Sequence, residues 1–250
     1  MAGMQGAQAG VPCIVPTKTV RATVVRVEDS GMLVLAGGRI ARLEGIRFPQ
    51  GAVDRAPPNY AEKALDSLRA MTRGQDATLA IRWPEEDRYG RLRAQGFVAG
   101  RGDLWLQTAL LKQGLARVSP MPARTECMRE LYAAENQARD AQLGIWSDAA
   151  YAVRTPDDVE AVIGTFQIVE GKVLNANVKG GRTYLNFGTD WKTDFTVTID
   201  PEDKKAFRDA GVDPTGYAGH IVRVRGLVQR LNGPEIEIAS PAQIETLPQK

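Results

Sequence analysis

The order of strand and helix patterns constrains the fold of this chain most, because the same order occurs twice. In each half, three short segments rich in β-branched residues precede one helix pattern, and two further strand patterns follow it. The helix patterns are 60–72, which ends before Gly74, and 201–210. The strand patterns are 19–27, 32–35, 39–46, 77–83 and 92–99 in the first half, and 165–174, 183–187, 195–199, 220–229 and 235–239 in the second.

Five short strands with one helix between the third and the fourth are typical of an OB-type barrel. We therefore predict a mainly β fold with helices, in which a five-stranded OB-type barrel with three helices occupies 18–147 and a second OB-like barrel occupies 164–248. The additional helices of the first barrel are 104–113 and 126–142. The mixed polar segment 147–163 is predicted to be the linker, and 250 residues are typical of two domains.

Five segments of the first half resemble the staphylococcal-nuclease (thermonuclease) family. In chain order they are TVVRVEDSGMLVL, RIARLEGIRFP, DRYGRLRAQGFV, LWLQTALLKQGLARV and ENQARDAQLGIW. The resemblance implies a nuclease-like domain over about 18–147. It also implies phosphodiester chemistry, in which two arginines bind the phosphate, carboxylates hold a calcium ion, and a glutamate assists the attack of water.

This resemblance assigns the two arginine positions of the family to Arg42 and Arg91. They are the candidate catalytic residues, and together with Tyr89 they are the predicted phosphate-binding residues. A guanidinium group suits this task because its planar fork matches two phosphate oxygens. The alternative is that both arginines are ordinary surface cations.

The acidic positions of the family do not match this sequence. They fall at Gly31, Arg47 and Gln50, and an amide cannot take a proton from water near neutral pH. We therefore predict no cofactor and disfavour calcium. Two carboxylates nearby, Asp29 and Glu44, are candidates for an altered metal site, but the simpler expectation is that Glu44 pairs with Arg42 or Arg47.

The second half resembles OB-fold modules that bind nucleic acid, through the segments FQIVEGKVLNA, TYLNFG, DFTVTI and VRVRGLVQRLNGPEIEI. Such modules stack bases on aromatic rings in a basic groove. The candidate rings and cations are Tyr184, Phe187, Trp191, Phe195, Lys172, Lys179, Arg182, Arg223 and Arg225. The alternative is that Phe187 and Phe195 belong to the core and the lysines only solvate a surface.

Charge favours the first half for phosphate binding. Residues 1–150 contain 20 Lys and Arg against 16 Asp and Glu, whereas residues 164–250 contain 11 of each class. A net positive field attracts anionic polymers, and a neutral surface does not.

The two cysteines, Cys13 and Cys127, leave two alternatives open: one disulfide, which implies an oxidising compartment, or two separate thiols. Residues 1–10 do not resemble an intact signal peptide, although they fit the remnant of one, so we expect an exported or periplasmic protein. No apolar run is long enough for a membrane span.

The only histidine, His220, has no predicted partner and is expected to be structural. Trp105 and Trp146 occupy apolar positions in or just after helices and are predicted to lie in the core.

Three functional hypotheses follow. The first is a domain that binds nucleic acid or nucleotide phosphate but has lost or altered calcium-dependent cleavage. The second is an active phosphodiesterase with a rearranged metal site, and the third is a protein-interaction scaffold. The carboxylate count favours the first over the second, so whether the chain is an enzyme stays open. The partners to test are single-stranded DNA, single-stranded RNA and a protein.

Overall fold

The computed structural model describes residues 16–99, 104–122, 125 and 127–248. The chain divides into two compact units. Unit 1 comprises Met1–Phe48, Glu62–Val118 and Glu126–Ala141, and unit 2 comprises Pro49–Ala61, Ser119–Thr125 and Gln142–Lys250.

Short strands dominate the first half of the chain, as the sequence predicts. They are β1 (Lys18–Val27), β2 (Leu33–Leu35), β3 (Ile40–Leu43), β4 (Ile46–Arg47), β5 (Asp76–Glu86), β6 (Leu92–Val98), β7 (Leu104–Trp105) and β8 (Arg117–Val118). The helices are α1 (Asn59–Thr72), α2 (Leu106–Lys112) and α3 (Met128–Asp140). Both α2 and α3 are shorter than predicted. The helix α2 begins at Leu106 because 104–105 pairs as a strand with β6.

Five of these strands close into a barrel, which confirms the predicted fold of the first domain. Antiparallel pairing joins β1 to β2 and β5, β2 to β3, and β5 to β6. The ring closes where β3 and β6 run parallel, with Ala41, Arg42 and Leu43 beside Leu92, Arg93 and Ala94.

Alternation along the strands determines which side chains fill this barrel. The fully buried apolar residues include Val24, Leu33, Leu79, Ile81 and Leu92. Trp105 is also buried and stacks on Phe97, with ring centroids 5.8 Å apart, and its indole N–H donates to the Gln95 side-chain oxygen at 3.0 Å. The core position predicted for this tryptophan is therefore confirmed.

The second half of the chain has the same order of pairing. Its elements are β9 (Phe166–Lys172), β10 (Asn175–Lys179), β11 (Arg182–Asn186), β12 (Thr196–Ile199), α4 (Lys204–Asp209), β13 (Ile221–Arg230), β14 (Pro234–Glu237) and β15 (Ile244–Thr246). Antiparallel pairing joins β10 to β11, β11 to β12, β13 to β14 and β13 to β9, and β12 runs parallel to β14. The strands β10 and β15 were not predicted from the sequence.

Apolar side chains from all of these strands form one core in unit 2. It includes Val169, Leu185, Val197, Val224 and Ile236, together with Phe207 from α4. Phe187 and Phe195 are also buried in it, with ring centroids 4.9 Å apart. These two rings therefore belong to the core and are not available to stack on bases.

The segment 147–163 is not a bare linker, contrary to the prediction. It contains the short 3-10 helices Ala149–Tyr151 and Pro156–Val162. Tyr151 and Val159 are buried, and Val159 is part of the core of unit 2. The polar composition of this segment did not predict these 3-10 helices, because one buried apolar side chain is enough to hold each of them against the core. Trp146, just before them, is buried as predicted.

No helix in the described part of the chain has the length and apolarity needed to cross a membrane.

Candidate functional site

The parallel pair β3–β6 brings arginines together on the outside of the unit 1 barrel. Arg42 lies directly opposite Arg93 in this pair, and both side chains are partly exposed. Their neighbours Ala41, Leu43 and Leu92 are buried, because successive side chains of a strand point to opposite faces. Arg42, predicted to bind phosphate, therefore lies on the outer face of the barrel beside a second arginine.

Glu44 forms an ion pair with Arg93. The Arg93 Nε and the Glu44 Oε1 are 2.5 Å apart, and only 7% of the Glu44 side chain is exposed. Glu44 was expected to pair with Arg42 or Arg47, and the sequence did not indicate this partner on β6. The Arg42 side chain makes no hydrogen bond or ion pair with any residue that the structure describes.

Arg91 is held in place by the turn that precedes β6. Its Nε donates to the Asp87 Oδ2 at 2.7 Å, while the Asp87 Oδ1 accepts the backbone N–H groups of Tyr89 and Arg91 at 2.9 and 3.1 Å. One carboxylate thus closes the turn and orients the guanidinium. Sequence reasoning did not assign this function to Asp87, although a turn-forming aspartate four residues before the arginine is a visible signal.

Tyr89 lies beneath two cations. The guanidinium carbons of Arg88 and Arg91 are 4.8 and 4.6 Å from the ring centroid. The ring is largely exposed, so it is accessible to a ligand as well as supporting Arg91.

Burial raises the pKa of Asp87, but the hydrogen bonds from the Arg91 side chain and from the backbone N–H groups outweigh it, so the pKa of this carboxyl lies below its usual value. Asp87 is therefore ionised at neutral pH and neutralises part of the charge of Arg91.

Gly31 occupies the position of the first family aspartate, and the structure leaves no room for a side chain there. Its φ is +80°, in the left-handed region that favours glycine. A Cβ atom would lie 2.5 Å from the Phe48 ring. An aspartate would therefore strain the backbone and displace Phe48. Sequence comparison revealed the loss of the acid but not that an aromatic ring fills its place.

The second family aspartate falls at Arg47, on β4. This strand pairs with β8, where Arg47 lies directly opposite Arg117, and Arg117 is 2% exposed. A carboxylate position of the family is thus occupied by an arginine opposite another arginine, and neither side chain can be a metal ligand.

The third acidic position, Gln50, belongs to unit 2. Its backbone N–H donates to the Asp54 carboxylate at 2.8 Å, just before the 3-10 helix Gly51–Asp54. Asp29, proposed for an altered metal site, pairs with Arg69 at 2.9 Å. Within the described residues, no group of three or more His, Cys, Asp or Glu side chains is arranged to hold a metal. The residues present do not fit a calcium ion.

Comparison with known proteins is consistent with the barrel fold of the first half. Residues 40–148 match the family described as staphylococcal nuclease homologue. This part of the chain is a staphylococcal nuclease homologue domain. The chain is also 26% identical over 136 residues to an uncharacterized protein of Bacillus anthracis, and this match covers 52% of the chain and 62% of that protein.

The basic groove predicted for the second half is not formed by its arginines. Arg223 pairs with Glu170 at 2.7 Å, and Arg225 is fully buried and pairs with Glu245 at 3.0 Å. Arg182 pairs with acidic residues, including Glu237 at 3.3 Å. Because carboxylates neutralise these arginines, they do not provide a free positive surface.

Cys127 is buried and disulfide-bonded, at the start of α3. Cys13 lies outside the described residues, so the pairing of the two cysteines stays a prediction. His220 is exposed, and its Nδ1 lies 3.2 Å from the Ala218 carbonyl oxygen.

Proposed function

We propose that the nuclease homologue domain, with limits 18–147, binds the phosphates of single-stranded nucleic acid through Arg42 and Arg91, and that it has lost calcium-dependent cleavage. The observation that carries this proposal is the Arg42 side chain, which is partly exposed and makes no hydrogen bond or ion pair within the described part of the chain. An arginine without a carboxylate partner is available for phosphate oxygens.

Arg91 supports the same proposal. The turn holds its guanidinium in one orientation before any ligand arrives, which lowers the entropy lost on binding. Its pair with Asp87 uses Nε and Nη2 on a single carboxylate oxygen. Phosphate would have to share or displace that contact, so we assign Arg91 a weaker contribution than Arg42.

Tyr89 adds a contact of another kind. Its exposed ring lies beside Arg91, and aromatic rings stack on unpaired bases. Stacking requires bases free of a duplex, which is why a single strand is the proposed ligand. Stacking tolerates any base, so no sequence preference is proposed.

Loss of cleavage is proposed from the three acidic positions. Gly31 is closed by Phe48, Arg47 reverses the charge, and Gln50 cannot act as a base near neutral pH. The rearranged site of the second hypothesis is not favoured, because both of its carboxylates, Asp29 and Glu44, are engaged in ion pairs.

Fluorescence anisotropy with labelled single-stranded DNA and RNA, measured between about 50 and 200 mM salt, tests the binding. Arg42→Ala combined with Arg91→Ala should weaken binding at least about tenfold and reduce the slope of log K against log salt by up to about 1.4. Arg129→Ala is the matched control, because this arginine lies on α3 with 92% of its side chain exposed. It should leave affinity and slope unchanged.

Three outcomes would overturn the proposal. A wild-type protein without salt-dependent affinity would favour the scaffold hypothesis. Unchanged binding by the double variant would show that Arg42 and Arg91 are surface cations. Robust calcium-stimulated cleavage that disappears in Arg42→Ala would favour an active phosphodiesterase, so cleavage is assayed in parallel with calcium, magnesium and manganese.

A further inference from the structure

Unit 2 contains a groove of about 480 Å³ on the outer face of its barrel. Among its lining residues are Asn175, Asn177, Lys179, Tyr184, Asn186 and Trp191, and we call it the amide groove. The strands β10 and β11 form its floor, and the loop that follows β11 contributes Trp191. A volume of this size suits a small ligand or a short stretch of a chain molecule.

Strand pairing aligns the floor of the amide groove. Asn175 lies opposite Asn186, and Asn177 lies opposite Tyr184. Their neighbour Leu185 is fully buried in the core, so alternation turns Tyr184 and Asn186 outward. The floor is therefore a flat face of three amides and one phenol.

The three amides orient one another. The Asn177 Nδ2 and the Asn186 Nδ2 both donate to the Asn175 Oδ1, at 2.8 and 2.7 Å. With that oxygen occupied, the Asn175 Nδ2 and the Asn177 Oδ1 have no partner among the described residues and are presented to the groove. These free amide donors and this free acceptor suit a ligand whose groups both donate and accept hydrogen bonds.

Trp191 forms an apolar wall of the groove. Its side chain is 59% exposed, although a tryptophan normally buries most of its surface. An exposed indole beside oriented amides fits a ligand that has an apolar face and a polar rim.

Charge decides between the ligands with these properties. Among the described residues that line the groove, Lys179 is the one charged side chain, and the Lys192 Nζ lies 5.7 Å from the Trp191 ring centroid. The basic strand residue opposite Lys179, Arg182, is neutralised by carboxylates that include Glu237, so these cations form no continuous track. Residues 164–250 as a whole carry equal numbers of acidic and basic side chains. A nucleic-acid strand needs a continuous basic track for its phosphates, whereas a neutral ligand needs none.

We propose that the amide groove binds a neutral oligosaccharide, with one sugar ring on Trp191 and hydroxyl groups on the Asn175 and Asn177 amides. A sugar hydroxyl both donates and accepts hydrogen bonds, and the C–H face of a pyranose is apolar. The Trp191 ring matches the apolar face of the sugar, and the asparagine amides match its hydroxyl groups. The OB architecture accommodates such chains on the same outer face.

Isothermal titration of the full chain with chitotetraose, cellotetraose and maltotetraose tests the proposal, with an unlabelled oligothymidylate of about ten nucleotides as the competing ligand class. We expect at least one tetrasaccharide to bind, with an affinity that does not change between about 50 and 200 mM salt. Trp191→Ala and Asn177→Ala should each weaken it at least about tenfold.

Matched variants separate this binding from other causes. Trp83 is also a highly exposed tryptophan but lies in unit 1, so Trp83→Ala should leave oligosaccharide affinity unchanged. Near-identical circular dichroism and melting temperatures of the variants exclude misfolding.

Two results would overturn the proposal. One is the absence of binding by all three tetrasaccharides up to about 1 mM. The other is salt-dependent binding of the oligothymidylate that persists in the Arg42→Ala, Arg91→Ala double variant and is lost when Trp191→Ala is added, which would assign the groove to single-stranded nucleic acid. The nuclease homologue domain is tested separately through Arg42 and Arg91, so neither result bears on its function.

Discussion

Removal of either partner of the Glu44–Arg93 pair should destabilise the barrel strongly, whereas removal of both should not. The side chains are 7% and 13% exposed, and their closest atoms are 2.5 Å apart. At a charge separation of about 4 Å and an effective dielectric of about 20, their attraction is about 4 kcal/mol. That attraction offsets the loss of hydration of both groups.

Loss of one partner removes this ion pair from a poorly hydrated charge, which typically costs about 3–5 kcal/mol. Arg93 retains some access to water, so we expect about 3 kcal/mol for Glu44→Leu, and a similar value for Arg93→Leu. The double variant has no charge to hydrate, and leucine packs on the neighbouring apolar surface. Its free energy of unfolding should lie within about 1 kcal/mol of the wild type.

Urea unfolding, followed by far-ultraviolet circular dichroism and tryptophan fluorescence, measures this cycle. With an m value of about 2 kcal/mol/M, each single variant should shift the transition of unit 1 by about 1.5 M. The coupling energy from the cycle should be about 5 kcal/mol. A double variant that loses about as much as the two single variants together would refute the argument, because the two charges would then act independently.

Three further predictions follow. Gly31→Asp, which restores a family acid, should lower the free energy of unfolding of unit 1 by at least about 1 kcal/mol, because φ is +80° there and the new side chain collides with Phe48. It should restore no calcium-dependent cleavage. Urea unfolding and a nuclease assay measure the two effects. The pKa of Asp87 is lower in the folded protein than in the unfolded chain, where it is about 3.9. The ionised carboxylate therefore stabilises the fold fully above about pH 3.9, and this stabilisation is lost as the pH falls through the lower pKa of the folded state. The difference in melting temperature between Asp87→Asn and the wild type should therefore be present at pH 7 and shrink below about pH 3.9. Finally, mass spectrometry of non-reduced, alkylated protein from its native compartment should detect a disulfide-linked peptide that joins Cys13 to Cys127. Alkylation of both Cys13 and Cys127 would contradict the disulfide and the export that it implies.

The sequence by itself determined the order of the elements and the family of the first half. Period-two alternation and glycine-rich turns are local signals, so five strands in each half and the helix between the third and fourth of them could be predicted. The positions of Arg42 and Arg91, and the loss of acids at Arg47 and Gln50, were likewise readable because each is a matter of spacing within a motif.

Only the tertiary structure decided how these residues are partnered. Glu44, just after β3, meets Arg93 because closure of the barrel runs β3 parallel to β6. The strand β10 forms on polar residues because β11 offers it a pairing edge, which no local pattern records. Phe48 fills the space above Gly31 for the same reason: contacts between distant segments depend on the closed barrel, and spacing along the chain carries no measure of them.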